Sequence, residues 1–410
     1  MPDRIVLAAG GDVCLGRTVT EEMRRRGAGF PFGAMEEVLQ AADLFTANFE
    51  SPILAKGQEP PKKGLVVPED LMAEFRLPVP AALTMANNHV FDAGESGVAF
   101  TRKQLEALGF SPFGAGATAA VGRKMRVVKV KGLRVGFLGR TEDCPQLKGR
   151  TAPGPALIKR RALLDDVRAA RKSGKADVLV VHLHQGVEFV DWPAPRLVGL
   201  ARGIVDAGAD LVLCHHPHVP QGWERYRRRL IFYSLGNLVF DVAKHPYLRE
   251  GSPWTNRSFV ALIPITRAAG RAPTPGRSRG GVGAAAAEEG VTLGEPEFVP
   301  YRISELGRPV SLAGAEGDEV LEHIAEISKA LADPVDLAKH WRDTCIRYLG
   351  INIDWTMGAW KAGDVDDLLG DYFARFGYDE LRGVVLDLFA AAPWVKRLAR
   401  EQWEDEGSRS

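Results

Sequence analysis

The chain has 410 residues and no apolar run long enough to cross a membrane. Its first residues lead directly into an apolar segment, without the basic stretch and hydrophobic core of a signal peptide. It has only four cysteines, Cys14, Cys144, Cys214 and Cys345, and none is in Cys-x-x-Cys spacing, so no disulfide framework is indicated. These absences predict a soluble, cytoplasmic protein with no membrane partner.

An excess of charge of either sign is also absent. The sequence has 53 basic and 52 acidic residues, a net charge of +1, and therefore lacks the basic character typical of nucleic-acid-binding proteins. The arginine triplets Arg24–Arg26 and Arg227–Arg229 are interpreted as solvated surface, although either could hold a substrate carboxylate. We expect no nucleic-acid partner.

The segment Leu211–Val219 contains the clearest functional signal. Its apolar start predicts a buried strand, and the strand is followed at once by His215, His216, Pro217 and His218. The proline stiffens the loop that carries the two alternating imidazoles. Neutral imidazole is the most common protein metal ligand, so a His-x-His pair at a strand end predicts a metal site.

Polar residues also follow the other predicted strands. Because α/β folds place their ligand sites at the carboxyl ends of strands, these residues are expected at one edge of the fold. The strand ends in question are followed by Asp12, by Asn48 and Glu50, by Asn88, His89 and Asp92, by His182, His184 and Glu188, and by Asn237 and Asp241.

The last part of the chain has a different composition. Residues 266–292 are rich in Gly, Ala, Pro and Arg and are predicted to be a flexible insertion between two strands. We predict one catalytic domain over residues 1–303 and a helical, Trp-rich C-terminal subdomain over residues 304–410.

Six ordered motifs resemble the bacterial capsule-synthesis (CapA, poly-γ-glutamate capsule) family of calcineurin-like metallophosphatase-fold proteins. They are Gly11–Arg17, Asn48–Glu50, Ala86–Gly94, His184-x-Gly186-x-Glu188, His215–Val219 and Tyr233–Asp241, within a match over about Ile5–Ile265. The resemblance implies an α/β fold, a four-layer αββα sandwich with the site at the strand ends, followed here by a C-terminal helical extension.

The resemblance also implies residue roles. Metal ligands are expected at Asp12, Glu50, Asn88, His184, His216 and His218. His89 would be an acid near the reacting centre, oriented by Asp92, with Glu188 and His182 as further acid–base candidates. Arg17, Asn48 and Cys14 are the candidates for substrate contact. Whether His182 or His184 is the ligand stays open, since both face the same way.

The number and identity of the metal ions also stay open. Cys14 stands where many metallophosphatases have a histidine, and Asn48-Phe49-Glu50 stands where they supply a bridging aspartate. One or two divalent ions are therefore expected, with Mn²⁺, Ca²⁺ and Zn²⁺ all compatible with the mixed oxygen and imidazole ligands.

Three functions are compatible with these residues. The one we predict is metal-dependent epimerisation of a residue, L to D, in a ribosomal peptide, by analogy with soluble peptide-tailoring relatives. The second is two-metal hydrolysis of a phosphoester or a γ-glutamyl-type amide in capsule metabolism. The third is a non-catalytic module that binds a peptide or a poly-amino acid.

Overall fold

The computed structural model describes residues 3–61, 64–143, 147, 153–267 and 290–347. Within these ranges the strands, numbered in chain order, are β1 (Arg4–Val13), β2 (Leu44–Phe49), β3 (Ile53–Leu54), β4 (Val67–Pro68), β5 (Ala81–Thr84), β6 (Ser111–Phe113), β7 (Ala115–Gly116), β8 (Arg126–Val130), β9 (Leu133–Thr141), β10 (Gly154–Pro155), β11 (Val178–His184), β12 (Leu211–His215), β13 (Trp223–Tyr226), β14 (Arg229–Phe232), β15 (Asn237–Val239), β16 (Arg257–Arg267), β17 (Val291–Leu293), β18 (Glu297–Ile303) and β19 (Pro309–Ser311).

Two large sheets are formed by these strands. One has nine strands in the order β19-β18-β16-β1-β2-β5-β6, with β15 beside β1 and β17 beside β16. The other has six strands in the order β13-β14-β12-β11-β9-β8. Strands β1, β2 and β5 are mutually parallel, as are β9, β11, β12 and β14, so each sheet has a set of carboxyl ends at one edge.

Alternating side chains show how the sheets pack. Ile5, Leu7 and Ala9 of β1 belong to the same buried cluster as Val178 and Val180 of β11, which places this cluster between the two sheets. The intervening side chains of each strand enter separate outer clusters that include helical residues. Strands buried on both faces are typical of parallel sheets covered by helices. Burial of each Leu, Val or Phe side chain contributes about 1.5–3 kcal/mol, so the strands that carry the site are firmly held.

Helices cover the outer faces of both sheets. They are α1 (Thr18–Arg26), α2 (Glu36–Gln40), α3 (Glu69–Met72), α4 (Gly94–Ala107), α5 (Ala119–Arg123), α6 (Arg160–Lys172), α7 (Pro195–Asp206), α8 (Pro246–Gly251) and α9 (Ala315–Leu331), with a 3₁₀ turn at Gly33–Met35. Members of α1 and α4 pack on the nine-stranded sheet, and α6 and α7 pack on the six-stranded sheet. The predicted four-layer αββα sandwich is confirmed.

The region after residue 303 begins with sheet, not helix. Strand β19 pairs with β18 and extends the nine-stranded sheet, and helical structure follows at α9 and over residues 334–347. The division into domains at residue 303 stays a prediction. Trp355, Trp360, Trp394 and Trp403, and most of the predicted insertion, lie outside the described residues. Among the described residues, no helix combines the length and apolar character that a membrane span requires.

Candidate metal centre and active site

The candidate site lies where the carboxyl ends of β1, β2, β5, β11 and β12 meet. It therefore takes residues from both sheets, and each large sheet supplies one side of it. Two groups of side chains have atoms close enough to hold a metal ion: Asp12, Glu50 and His184, and Glu188, His216 and His218. Within each group the candidate ligand atoms lie within 4.8 Å of one another.

Asp12 is positioned by a close approach of two backbones. Two successive glycines, Gly10 and Gly11, are typical of a turn, but β1 runs through them to Val13. Gly11 is required because a Cβ atom there would lie 1.9 Å from the carbonyl oxygen of Gly236. The same oxygen accepts a 2.8 Å hydrogen bond from the Asp12 backbone N–H, so the approach fixes the carboxylate at the end of the strand.

Amides from β2 and the loop after β5 hold the first group together. Asn48 Nδ2 donates to Asp12 Oδ1 at 2.8 Å and to Glu50 Oε2 at 3.1 Å. Asn87 Nδ2 in turn donates to Asn48 Oδ1 at 3.0 Å. Asn88 Oδ1 lies 3.0 Å from His184 Nε2, and Glu50 Oε1 lies 4.0 Å from that same nitrogen. The nitrogen of one imidazole thus faces two side-chain oxygens.

The second group is carried by a loop with unusual backbone angles. His216 and His218, after β12, have φ values of +100° and +57°, a region that non-glycine residues seldom adopt. Such strain costs on the order of 1–3 kcal/mol and persists where surrounding structure enforces it, commonly at functional sites. The His216 ring lies 4.8 Å from that of His184 and 5.9 Å from that of His218, measured between centroids.

Asn237 fixes the orientation of His218. Its Nδ2 donates to the carbonyl oxygens of His218 and Thr255, so its Oδ1 is an acceptor for His218 Nδ1 at 2.8 Å. The proton is then on Nδ1, and Nε2 presents its lone pair 3.7 Å from Glu188 Oε1. This is the arrangement by which outer residues orient a histidine ligand. In the sequence Asn237 was noted only as a residue after a strand.

The charges of these groups fit a cation. Burial, together with the nearby carboxylates of Asp12, Glu188 and Asp92, raises the pKa of Glu50 well above its ordinary value. Burial lowers the pKa of His184 well below its usual range and that of His216 to about 4, so both rings are neutral at pH 7. Glu50 Oε1 is buried and has no hydrogen-bond partner among the described residues. Neutral imidazoles around clustered carboxylates are a suitable ligand set for a divalent ion.

A buried series of hydrogen bonds leads from the protein interior to Asp12. The hydroxyl of Thr46 donates to the Ala82 carbonyl at 2.8 Å, so Thr46 accepts from His182 Nε2 at 3.0 Å. The pKa of His182 is well below its usual range because of burial, and its neutral ring accepts at Nδ1 from His215 Nε2, 2.9 Å away. His215 Nδ1 then lies 3.3 Å from Asp12 Oδ1. His182, predicted as an acid–base group, is thus separated from Glu50 and Glu188 and is only 1% exposed.

The net effect on Asp12 follows from this contact. Burial raises the pKa of Asp12, but the hydrogen bond and charge of His215 outweigh it, with help from His218 and Asn48, and the pKa lies below its ordinary value. No role was predicted for His215 from the sequence. Its signal was available, since it shares the alternation of Leu211 and Leu213, whose side chains lie between the sheets.

His89 and Asp92 form a pair at the mouth of the site. Asp92 Oδ2 lies 2.9 Å from His89 Nδ1 and accepts a 2.7 Å hydrogen bond from the Leu65 backbone N–H. His89 Nε2 points toward Glu50 Oε1 at 3.8 Å, and the side chain is 24% exposed. The predicted pair is therefore in contact, next to the first ligand group and open to solvent.

Comparison with known proteins identifies the family. Residues 6–242 match the family described as bacterial capsule synthesis protein PGA_cap, which is more than half of the chain. The chain belongs to this family. The matched range includes every predicted site residue from Asp12 to His218.

Three relatives show how far the similarity extends. The capsule biosynthesis protein CapA of Bacillus anthracis is 33% identical over 270 residues, which cover 64% of this chain and 63% of that protein. The PGA biosynthesis protein CapA of Bacillus subtilis (strain 168) is 31% identical, over 62% of this chain and 65% of that protein. A probable polyglutamine synthesis accessory protein of Mycobacterium tuberculosis (strain H37Rv) is 29% identical, over 65% and 80%. The chain thus spans less than two thirds of the length of the two Bacillus relatives.

Solved structures give weaker similarity. A hypothetical protein from Thermus thermophilus aligns with a TM-score of 0.40 and 15% identity, covering 72% of this chain and 98% of that one. A 5'-nucleotidase precursor from the same organism aligns with a TM-score of 0.36 and 17% identity, over 80% and 60%.

Two of the three predicted substrate contacts are buried in this capsule synthesis family member. Cys14 has no exposed surface, and burial raises the pKa of its thiol to about 12. Asn48 is equally buried, and its amide is engaged with Asp12 and Glu50. Neither side chain can contact a substrate at the surface. Arg17 is different, because its side chain is half-buried and lines a groove.

Tyr247 is a site residue that sequence reasoning missed. It lies on the short helix α8 and is 51% exposed, and its hydroxyl donates a short hydrogen bond to Glu188 Oε2. Its ring packs edge-on against Phe189 with 4.8 Å between centroids. Nothing in the local sequence signals this role, because the contact joins residues 59 positions apart.

Proposed function

We propose that this chain is a metal-dependent hydrolase that cleaves amide bonds in a glutamate-containing poly-amino acid. The observation that carries the proposal is the presence of two candidate ligand groups at one site, with Asp12, a member of the first group, also close to the second. Asp12 Oδ2 lies 3.6 Å from His218 Nδ1 and 3.3 Å from the His216 backbone nitrogen. The names of the relatives, which refer to capsule, PGA and polyglutamine synthesis, support a substrate of this class.

The metal would be held by Asp12, Glu50, Asn88 and His184, with His216 and His218 available for a further ion and Glu188 left as a proton acceptor. When bound, a divalent cation polarises a carbonyl and makes water a better nucleophile at neutral pH. Positioning of the substrate and transfer of protons are carried out by the protein's own side chains. Its sheets fix the ligand positions, and its buried amides restrict where a carbonyl oxygen can lie.

His89 is the proposed general acid. Its Nδ1–H donates to Asp92, which keeps the ring oriented with Nε2 directed into the site. As water oxygen bonds to the carbonyl carbon and the C–N bond breaks, His89 gives a proton to the departing amine nitrogen, and the proton from water passes to the Glu188 carboxylate. Tyr247 holds the second oxygen of that carboxylate and leaves Oε1 directed toward His218.

The same residues support a second reaction, the epimerisation predicted from the sequence. Two acid–base groups, the His89–Asp92 pair and the Glu188–Tyr247 pair, adjoin the ligand groups. Removal of a Cα proton by one and its return by the other would invert the centre. The observation that favours hydrolysis over this reaction is the second ligand group.

One experiment separates these functions. The purified full-length chain is incubated in D₂O with a γ-linked glutamate oligomer and with Mn²⁺, Ca²⁺ or Zn²⁺ in turn, and the products are analysed by mass spectrometry. Shorter oligomers support the hydrolase. Deuterium at Cα without cleavage would replace it with the epimerase. Binding without either change, unaffected by His89→Ala, would leave the non-catalytic module as the function. A parallel assay uses p-nitrophenyl phosphate as the substrate. Turnover of this compound without any change in the oligomer would indicate a phosphoester substrate instead.

The matched control is Asp12→Asn. It keeps the side-chain volume and can still pair with Asn48, so we expect the fold to be retained, as checked by circular dichroism, while turnover is lost. Turnover at the wild-type rate in this variant would show that the reaction does not use the proposed centre.

A further inference from the structure

A groove of about 780 Å³ lies beside the candidate site and is formed by one face of α1 and by residues of the ranges 54–61 and 64–70. Its volume is within the range of sites that bind small molecules or short peptide segments. The segment that forms one wall also supports the catalytic pair, since Leu65 N–H donates to Asp92 Oδ2 and Val66 lines the groove. One wall of the groove therefore contacts Asp92, the partner of His89.

Arg17 stands at this junction. Its side chain lines the groove and is half-buried, and it makes no hydrogen bond or ion pair with any of the residues that the structure describes. Burial raises the pKa of Cys14, and the charge of Arg17 offsets a small part of that rise; burial lowers the pKa of His245, and Arg17 adds to that effect. A partly desolvated guanidinium without an anionic partner is uncommon, because burial of a charge is costly unless the charge is paired.

The backbone holds Arg17 in an unfavourable conformation. Its φ and ψ are +55° and −127°, which is strained for a residue with a side chain. The preceding Gly16 packs against the groove wall so closely that a Cβ atom would lie 3.1 Å from the Val66 carbonyl oxygen. The contact between the two segments thus fixes where the side chain of Arg17 begins.

Other charges in the groove differ from Arg17. Arg24 pairs with Asp70 at 2.9 Å, and Glu69 accepts from the Lys56 backbone N–H at 3.0 Å. Glu21 also lines the groove, so the groove as a whole carries both signs of charge. Lys56 has no ion pair among the described residues either, but it is exposed, so Arg17 is the described cation of the groove that is both partly buried and without a carboxylate partner.

We propose that the groove binds an extended segment of a peptide-type substrate and that Arg17 binds one of its carboxylates. Guanidinium groups bind carboxylates through two parallel hydrogen bonds, which gives orientation as well as affinity. The bound carboxylate would place the neighbouring amide toward His89. This inference rests on the proposed function for the substrate class, but it concerns binding and does not require turnover.

The test measures binding separately from chemistry. The reference protein is the full-length His89→Gln variant, which prevents cleavage during the measurement and leaves the groove unchanged. The probes are a five-residue γ-linked glutamate oligomer and the same oligomer with every carboxylate converted to carboxamide, both titrated by calorimetry. We expect the reference to bind the carboxylate form about tenfold more tightly, the size of one charge-assisted interaction, and the preference to fall as salt is raised.

Three further variants locate the preference. Arg17→Gln in the same background should bind both oligomers equally, Arg17→Lys should keep part of the preference, and Arg24→Gln, on the same helix but already paired with Asp70, should keep all of it. A preference that survives Arg17→Gln, or its absence from the reference protein, would overturn the assignment. Thermal unfolding and metal content show whether Arg17→Gln is otherwise intact.

The binding test of Arg17 and the turnover test of the proposed hydrolase can fail independently. An Arg17-dependent preference in a protein whose wild type shows no turnover of the oligomer would support the subsite and contradict the hydrolase. Turnover by the wild type without any Arg17-dependent preference would do the reverse.

Discussion

His215 Nδ1 lies 3.3 Å from Asp12 Oδ1, while its other ring nitrogen contacts His182. The Thr46 hydroxyl determines the proton positions along this chain, because its one proton is donated to Ala82. His215 must therefore donate from Nε2 to His182, and its contact with Asp12 is attractive when Nδ1 also carries a proton. Three buried side chains, those of Thr46, His182 and His215, thus orient the carboxylate of the candidate ligand Asp12.

Removal of this support should weaken metal binding. We expect His215→Phe and His182→Phe to lower Mn²⁺ affinity by about 10- to 100-fold, the usual effect of residues that orient metal ligands. Competition with a fluorescent chelator measures the change. His323→Phe is the control for the same substitution outside the hydrogen-bond chain, because His323 is partly buried and stacks on Trp254. Unchanged Mn²⁺ affinity in both site variants would mean that the position of Asp12 does not depend on the Thr46–His182–His215 hydrogen bonds.

The His89–Asp92 pair can be tested in a similar way. Asp92→Asn should lower kcat by about 10- to 100-fold, because the ring loses the carboxylate that orients it. Metal content should stay at the wild-type value, since neither residue is among the ligand groups. An equal loss of bound metal and of rate would instead place Asp92 in the structural support of the centre.

Much of the fold could be predicted because its pattern is local. The pattern of Glu297–Ile303 predicts a strand, and β18 has the same bounds. Two apolar stretches separated by Gly132 predict a hairpin, and the structure pairs β8 and β9 in antiparallel fashion. Both depend on residues close in the chain, whose alternation and turn chemistry specify the element.

Features that depend on distant contacts could not be predicted in the same way. Gly10 and Gly11 indicate a turn by local rules, yet they lie in a strand because the Leu235–Gly236 backbone passes next to them. Strand β15 has three residues and no usable periodicity, so only its pairing with β1 defines it. Tyr247 reaches Glu188 through tertiary packing alone, and the sequence contains no trace of that contact.

The link between Tyr247 and Glu188 gives a test of the assigned proton acceptor. Tyr247→Phe should lower kcat by about tenfold with little effect on KM, because the carboxylate loses the donor that orients it. Stability should change by less than about 0.5 kcal/mol, as expected for an exposed substitution. The pH dependence of kcat is the second readout, and it should shift in the variant if Glu188 accepts the proton. A wild-type pH profile and rate would exclude this role for Glu188.

Metal stoichiometry tests the two ligand groups directly. We expect about two divalent ions per chain in the purified protein, by inductively coupled plasma mass spectrometry, and about one in His218→Ala, which removes a ligand of the second group only. One ion in the wild type, unaffected by this substitution, would favour the epimerase. Asn237→Ala, which releases His218 Nδ1, should weaken the second ion without abolishing it.

Asp191 gives a prediction for stability that is independent of the centre. Burial raises the pKa of this carboxyl from 3.8 to about 6, partly offset by Arg347, and Oδ1 has no hydrogen-bond partner among the described residues. Between pH 4 and 6 the folded state therefore binds more protons than the unfolded state, so the free energy of unfolding falls as pH rises through this window. At about 1.4 kcal/mol per pKa unit, the cost at pH 7 is at most about 3 kcal/mol.

Asp191→Asn should thus be more stable than wild type at pH 7 and nearly equal to it at pH 4, as measured by urea unfolding. Asp165→Asn, at an exposed carboxylate paired with Arg168, should show no such pH-dependent difference. A variant less stable than wild type at pH 7 would show instead that the charge of Asp191 favours the folded state, through Arg347.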